Sequence, residues 1–263
     1  MKTLEKIENR ITSSFLKKEK LLNIYFTAGY PGLNDTAEII KLLEKHGADM
    51  IEIGIPFSDS LMDGPVILKS NEIALRNGMN MDILFSQLKD IRDQVEIPLL
   101  LMGSMNTVFK YGFGHFCEKC AKTGIDGTII PDLPLRDYTL FYKKIFTDHQ
   151  ISNVCMVTPQ TTEERMRLID EHTKGFIYVM SSASTTGKGK KINDSEVYLK
   201  KTKSMNLKNP LLTGFNINTK EDIDFAKQYS NGAIVGSAFI KALEEKGTLE
   251  AKIKIFMEKL IEN

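Results

Sequence analysis

Apolar residues recur along the chain in two alternating rhythms. Leu4, Ile7, Ile11 and Phe15, at three- and four-residue spacing, predict an amphipathic helix running to about Lys18, with one stripe buried over an end of the domain. Residues 23–27 read as a strand closed by Gly29 and Pro31, and Asp35 with Glu38 predicts a capping-box start for a helix that ends before Gly47. After a second strand from Met50, helices are predicted over 67–77 and 81–94, then a strand over 98–102. The same unit continues with helices over 114–123, 138–148, 161–172 (a capping box at Thr161 and Glu164), 194–205 and 219–228. Their strands lie over 127–130, 152–157, 176–180, 211–214 and 233–235, and helices over 238–243 and 249–261 close the chain.

Residues 50–65, MIEIGIPFSDSLMDGP, depart from this regularity. Ile51, Ile53 and Ile55 alternate with Met50, Glu52 and Gly54, the period of a strand buried on both faces, yet one position carries a carboxylate. An ionised carboxylate buried without a partner is costly. Glu52 is therefore expected to be paired, hydrogen-bonded or shifted to a raised pKa, and a pKa raised toward neutrality suits a general acid/base. Asp63 follows in a polar loop closed by Gly64 and Pro65. Two carboxylates in unlike surroundings at one strand end can hold an acid and a base together. A plainer reading also fits: a structural ion pair at Glu52, and Asp63 as the cap of a helix starting near Pro65.

Eight strands alternating with helices, without a proline-rich linker or a shift in composition, predict a single (β/α)8 TIM barrel domain over 1–263 with an extra N-terminal helix, rather than two doubly wound halves. In such barrels the chemistry sits where strands end and the following loops begin. The unusual residues fall there: Glu52 and Asp63 after the second strand, Ser104 and Asn106 after the third, Asp132 after the fourth, Thr158 after the fifth. The stretch 181–193, SSASTTGKGKKIN, follows the sixth, has no apolar period, and reads as a lid. Gly214-Phe215-Asn216 ends the seventh strand and Gly236-Ser237 ends the eighth at a helix start. Loops after these two strands are a recurrent phosphate site, with Gly187 in the lid as a further N–H donor. The same glycines would also serve as plain tight turns. Phe26, Leu101, Ile129 and Phe215 are candidate walls of an apolar pocket, each equally at home in a core.

Composition narrows the partners. A net charge of +1 gives no electrostatic pull toward nucleic acid or an anionic membrane. No apolar run approaches the roughly 18 residues of a membrane span. The N-terminal stretch interleaves acids with its basic residues, unlike a signal peptide, so the expected location is cytoplasmic. Cys117 and Cys120 form a lone C-x-x-C near His115 with no second pair, which reads as two thiols one helical turn apart; no metal is expected.

The stretches YFTAGYPG (25–32), IEIGIPFSDSLMDGP (51–65), IIPDLP (129–134), VTPQTTEERM (157–166), GFIYVMSSASTTG (175–187) and VGSAFIK (235–241) closely resemble the tryptophan synthase alpha subunit family, in the same order over nearly the whole chain. The resemblance implies a phosphate-binding barrel that cleaves indole-3-glycerol phosphate to indole and glyceraldehyde 3-phosphate. Its partner would be a beta subunit, in an alpha2-beta2 heterotetramer, and pyridoxal phosphate would belong to that partner; no cofactor is expected in this chain. Glu52 and Asp63 match the family's catalytic glutamate and aspartate. Gly187, Gly214, Asn216, Gly236 and Ser237 fall on its phosphate-binding turns, and Pro56, Asp59 and Asn106 on its expected beta-contacting face. The chain departs from the family pattern at Ser60 (usually proline), Met62, Leu68 (often glutamine), Ser104 (a tyrosine), Ser184 in the lid and Asn216 (a glycine). These departures keep open an alternative in which the chain chiefly binds and activates the beta subunit. Another phosphate-binding barrel enzyme, such as an aldolase, is a third reading, although a Schiff-base aldolase would need a strand-borne lysine.

Overall fold

The computed structural model describes residues 9–60, 63–182 and 192–261. Its strands are β1 (Leu21–Thr27), β2 (Met50–Gly54), β3 (Leu99–Met102), β4 (Gly127–Ile129), β5 (Ser152–Val157), β6 (Ile177–Met180), β7 (Leu211–Gly214) and β8 (Gly232–Val235). Each pairs in parallel with the next, and β8 returns to β1, so the sheet closes into the expected barrel. Every residue of β1 and β2 is buried, because both faces of such a strand are covered: one by the barrel interior, the other by helices.

Alternation sorts the strand side chains into two cores. Leu21, Met50, Leu100, Ile129, Val154, Tyr178, Met180, Leu212 and Ile234 pack together inside the barrel. Ile24, Phe26, Ile51, Ile53, Leu99, Leu101, Val179 and Val235 belong to the larger layer between barrel and helices. That layer is completed by α2 (Thr36–Lys45), α3 (Pro65–Arg76), α4 (Met81–Gln87), α5 (Met105–Tyr111), α6 (Phe113–Lys122), α7 (Leu135–Asp137), α8 (Lys143–Asp148), α9 (Glu163–His172), α10 (Glu196–Ser204), α11 (Lys220–Tyr229), α12 (Ser237–Leu243) and α13 (Leu249–Ile261). Among the described residues no helix is long and apolar enough to cross a membrane. Cys117 and Cys120 are both buried on α6, and burial pushes the Cys117 thiol up to about 12.

Some local expectations are corrected. Asp35 makes no side-chain cap on α2; its carboxylate accepts from Gly32 N at 2.9 Å and serves the preceding turn instead. The cap of α9 is Thr162, because Thr161 Oγ1 is engaged by Thr158 N at 2.9 Å. Helix α5 was not expected: it buries only Val108, so it has no apolar stripe to read, and it is fixed by its Ser104 cap and by Gly112 at φ 91°. The predicted helix over 81–94 stops at Gln87, and the one over 138–148 begins earlier, with α7 and α8 joined by a π-helical turn, Tyr138–Tyr142.

The N-terminal end of the barrel is plugged. Helix α1 (Arg10–Lys17) inserts Ile11, fully buried, into the interior core, and its close approach is possible because Gly127 and Gly175 present no side chain there. Asn9 holds the helix in place by donating to Ser152 Oγ at 2.8 Å and to Asp126 O at 3.1 Å. Asp126, nearly buried, also accepts from Arg92 at 2.5 Å, Arg10 at 3.1 Å and Leu99 N at 2.9 Å. With this end closed and tied, the opposite end of the barrel faces outward.

Candidate active site

Two hollows occupy the C-terminal mouth of the barrel, of about 460 and 470 Å³, and share Tyr25, Asp63, Met102 and Phe215 in their walls. The first is polar on one side, where Asn216, Gly236, Ser237 and Lys241 meet Glu52 and Tyr178. The second is lined by Ile55, Phe57, Met156 and Met180, with Asp59, Ser104 and Asp132 at its rim.

Glu52 forms part of the floor. It is fully buried in mid-strand, in register with Tyr25 on β1 and Leu100 on β3, and points into the barrel. Asn23 Nδ2 donates to Glu52 Oε1 at 2.6 Å; among the described residues Oε2 has no hydrogen-bond partner. Burial pushes the carboxyl up to about 8 against the opposing pull of the Asn23 amide. Of the outcomes anticipated for this residue, hydrogen bonding and a raised pKa both occur.

Asp63 is half-buried above the floor. It does not cap α3, whose N-cap is Gly64 with Pro65 at the first helical position. Burial raises its pKa, while hydrogen bonds from Ser60 and Asn71 pull it back by favouring the carboxylate. Asn71 Nδ2 lies 3.5 Å from Asp63 Oδ2, and Ser70 beside it shares a 2.7 Å hydrogen bond with Thr27 at the end of β1. The loop after β2 is thus tied to a neighbouring strand end. Two carboxyl groups here have different surroundings: one in an apolar floor with a single amide, one in a polar loop.

Tyr25 and Tyr178 complete the walls. Each leans across its neighbouring strand over a glycine, Tyr25 over Gly54 and Tyr178 over Gly214, where any side chain would collide with the phenol. Burial, reinforced by the charges of Asp63 and Glu52, raises both phenols well above the usual tyrosine range, so they are neutral donors.

After β7, Phe215 and Asn216 take consecutive left-handed conformations, φ 72° and 54°, and Ser181 Oγ secures the bend by donating to Phe215 O at 2.6 Å. After β8, Gly236 is the N-cap of α12, with Ser237 its first residue; Lys241 brings a cation to the same wall one turn later. Phe215, Asn216, Gly236 and Ser237 therefore converge on the hollow that holds Glu52 and Asp63.

Other expectations are placed differently. Phe26 and Leu101 point outward into the helix layer and do not line either hollow; their neighbours Tyr25 and Met102 do. In β3 both alternating sets are apolar, so the side turned to the mouth could not be read there from hydrophobicity. Ile129 faces the barrel interior but packs in its core rather than lining a hollow, and Gly214 lies beneath Tyr178, making room for that ring. Gly187, Met62 and most of the lid fall outside the described residues. Asp59 and Asn106 are exposed, whereas Pro56 is buried. Ser104 caps α5 and donates to Asp132 Oδ2 at 3.1 Å, joining the loops after β3 and β4. Asn23, Tyr25 and Tyr178 were missed; a polar or hydroxylated residue at every second place in an apolar strand is the signal that marks them.

Comparison with known proteins bears on this geometry. A family model described as tryptophan synthase alpha chain matches residues 13–262. The tryptophan synthase alpha chain of Flavobacterium psychrophilum is 54% identical over 240 residues, covering 91% of this chain and 95% of that protein. That of Parabacteroides distasonis is 48% identical over 254 residues, covering 96% and 99%. Among solved structures, tryptophan synthase subunit alpha from Legionella pneumophila superposes with a TM-score of 0.86 at 31% identity, over 96% of this chain and 97% of that one. An aminoacrylate-bound tryptophan synthase from M. tuberculosis gives 0.84 at 26% identity, over 96% and 98%. Matched along nearly its whole length by the family model and by relatives that it covers almost completely, the chain belongs to the tryptophan synthase alpha chain family.

Proposed function

We propose that the barrel mouth performs the lyase reaction of this family, the retro-aldol cleavage of indole-3-glycerol phosphate to indole and glyceraldehyde 3-phosphate, with Glu52 as the acid/base. The observation that carries this reading is the buried Glu52 carboxyl with one oxygen tied to Asn23 and the other without a partner among the described residues, in the wall of a hollow shared with Asp63. With a pKa of about 8, Glu52 is roughly nine-tenths protonated at pH 7, so it starts as an acid. It gives its proton to indole C3, and positive charge develops at the ring nitrogen, where Asp63 accepts the N–H and stabilises the charge. As the carboxylate, Glu52 then takes the proton of the C3′ hydroxyl. The C3′ carbonyl forms, the C3–C3′ bond breaks, and its electron pair returns to the ring. Glu52 ends protonated, as it began.

The surrounding residues suit the two ends of this substrate. Asn216, Gly236, Ser237 and Lys241 offer backbone, hydroxyl and ammonium donors for the phosphate, with Gly187 of the lid as an additional contributor. Met102, Met156, Met180 and Phe215 offer a soft apolar bed for the indole. The eight strands contain no lysine, which argues against a Schiff-base aldolase. As an alpha chain, the protein would work in the cytoplasm as a single barrel domain with a beta chain that carries pyridoxal phosphate, in an alpha2-beta2 assembly, with neither nucleic acid nor membrane as partner. Asp59, in the loop after β2 with buried Pro56, and Asn106, at the start of α5, are exposed and would contact the beta chain.

Glu52→Gln and Asp63→Asn are expected to lower indole release by at least about a hundredfold while glycerol-phosphate binding stays within a few-fold. Wild-type rates in both variants would overturn the assignment. A wild-type chain that cleaves nothing, alone or with its beta chain, would favour the role of activating partner instead.

A further inference from the structure

Asn23 is the least expected residue in the barrel interior. Asparagine is depleted in strands, and an amide buried without partners is costly. Yet Asn23 is fully buried on β1, in register with Met50 on β2 and Ile234 on β8, both part of the apolar interior core. Its Nδ2 donates to Glu52 Oε1 at 2.6 Å, from the next strand and one layer nearer the plugged end. Among the described residues neither Asn23 Oδ1 nor Glu52 Oε2 has a hydrogen-bond partner. Among the described residues the amide therefore has a single polar contact, and that contact is the carboxyl group on which the reaction depends.

We propose that Asn23 is the positioning residue of Glu52, donating to Oε1 from below in both protonation states so that Oε2 carries the exchanging proton and is presented to the substrate. With Nδ2 toward Glu52 it donates to Oε1 in both states: to the carboxylate, and to the carbonyl oxygen of the neutral acid, whose proton then sits on Oε2. A general acid that becomes a base within one turnover needs a neighbour that satisfies both forms. A carboxylate or a leucine at position 23 supplies no donor to Oε1. Among the described residues the other ionisable groups facing Glu52 are Tyr25 on β1, Tyr178 on β6 and Asp63 in the loop after β2, all on the mouth side. This inference rests on the acid/base role of Glu52 proposed above.

The test uses the full chain with its beta partner, in three forms: wild type, Asn23→Leu and Asn23→Asp. The Glu52 carboxyl is followed by carbon NMR titration, assigned by its loss in Glu52→Gln, and kcat and KM are measured against pH. Because the amide pulls the carboxyl pKa down, both variants are expected to bind the Glu52 proton at least about tenfold more tightly. Their kcat should fall by about ten- to a hundredfold, with KM and glycerol-phosphate affinity within about threefold. An unmoved titration together with kcat within about threefold of wild type would sink the proposal. So would equal losses in kcat and phosphate affinity in a chain of lowered melting temperature, which would mark a structural role. Should Asn23→Leu fail to fold, the isosteric Asn23→Asp decides alone. An active Glu52→Gln would instead remove the underlying reading, so the two failures are distinguishable.

Discussion

The phenol of Tyr178 occupies the space that a side chain at Gly214 would fill, on the neighbouring strand β7 two residues beyond the register pair of Tyr178 with Leu212. Gly214 therefore acts on the site through packing. Gly214→Ala is expected to displace Tyr178 from the mouth and lower kcat/KM by about tenfold or more, while the barrel still folds at a loss of about 1–3 kcal/mol. Kinetics paired with thermal unfolding check this, and Gly54→Ala beneath Tyr25 should behave alike.

Glu52 has a stability signature as well as a catalytic one. Its folded-state pKa of about 8 lies above the ordinary value of 4.5, so between these pH values the folded chain keeps a proton that the unfolded chain has released. Its contribution to stability is full at low pH and declines as pH rises from about 4.5 through about 8. Glu52→Gln, neutral throughout, should match wild type near pH 4.5 and exceed it on the order of 4 kcal/mol above pH 8. Urea unfolding at the two ends of this window measures the difference; a gap that stays constant with pH would contradict the burial argument.

Asn216 tolerates its φ of 54° because asparagine enters the left-handed region more readily than most residues. Asn216→Gly is expected to keep phosphate affinity within about threefold. Asn216→Val, which resists that conformation, should cost about 1–2 kcal/mol and weaken binding of glycerol phosphate about tenfold or more. Calorimetric titration with glycerol phosphate separates the two variants.

At the plugged end, Asp126 gathers Arg10, Arg92 and the Leu99 amide, far from the reacting groups. Arg92→Met leaves Asp126 buried with less compensation and should destabilise the fold by about 3–5 kcal/mol, with kcat per folded molecule within about twofold of wild type. Chemical unfolding and active-site-normalised rates distinguish this from a catalytic effect.

The linear order of residues determined a great deal. Alternating strand and helix periods implied the closed parallel barrel, and the incongruous Glu52 in an apolar strand pointed to the end of the barrel where the hollows open. The run of turns after β7 and β8 brought Phe215, Asn216, Gly236 and Ser237 to one wall, because strand ends in this architecture share one face. The three-dimensional structure decided which side of each strand turns inward. In β3 both alternating sets are apolar, so only barrel closure assigned Met102 to the mouth and Leu101 to the helix layer, whereas in β1 the set Asn23, Tyr25, Thr27 already differs in polarity from Ile24 and Phe26. It also decided pairings between distant residues, Asn23 with Glu52 and Arg92 with Asp126. Periodicity is a local property of one strand, whereas facing and partnership depend on the register between strands, which is fixed only when the whole ring packs at once.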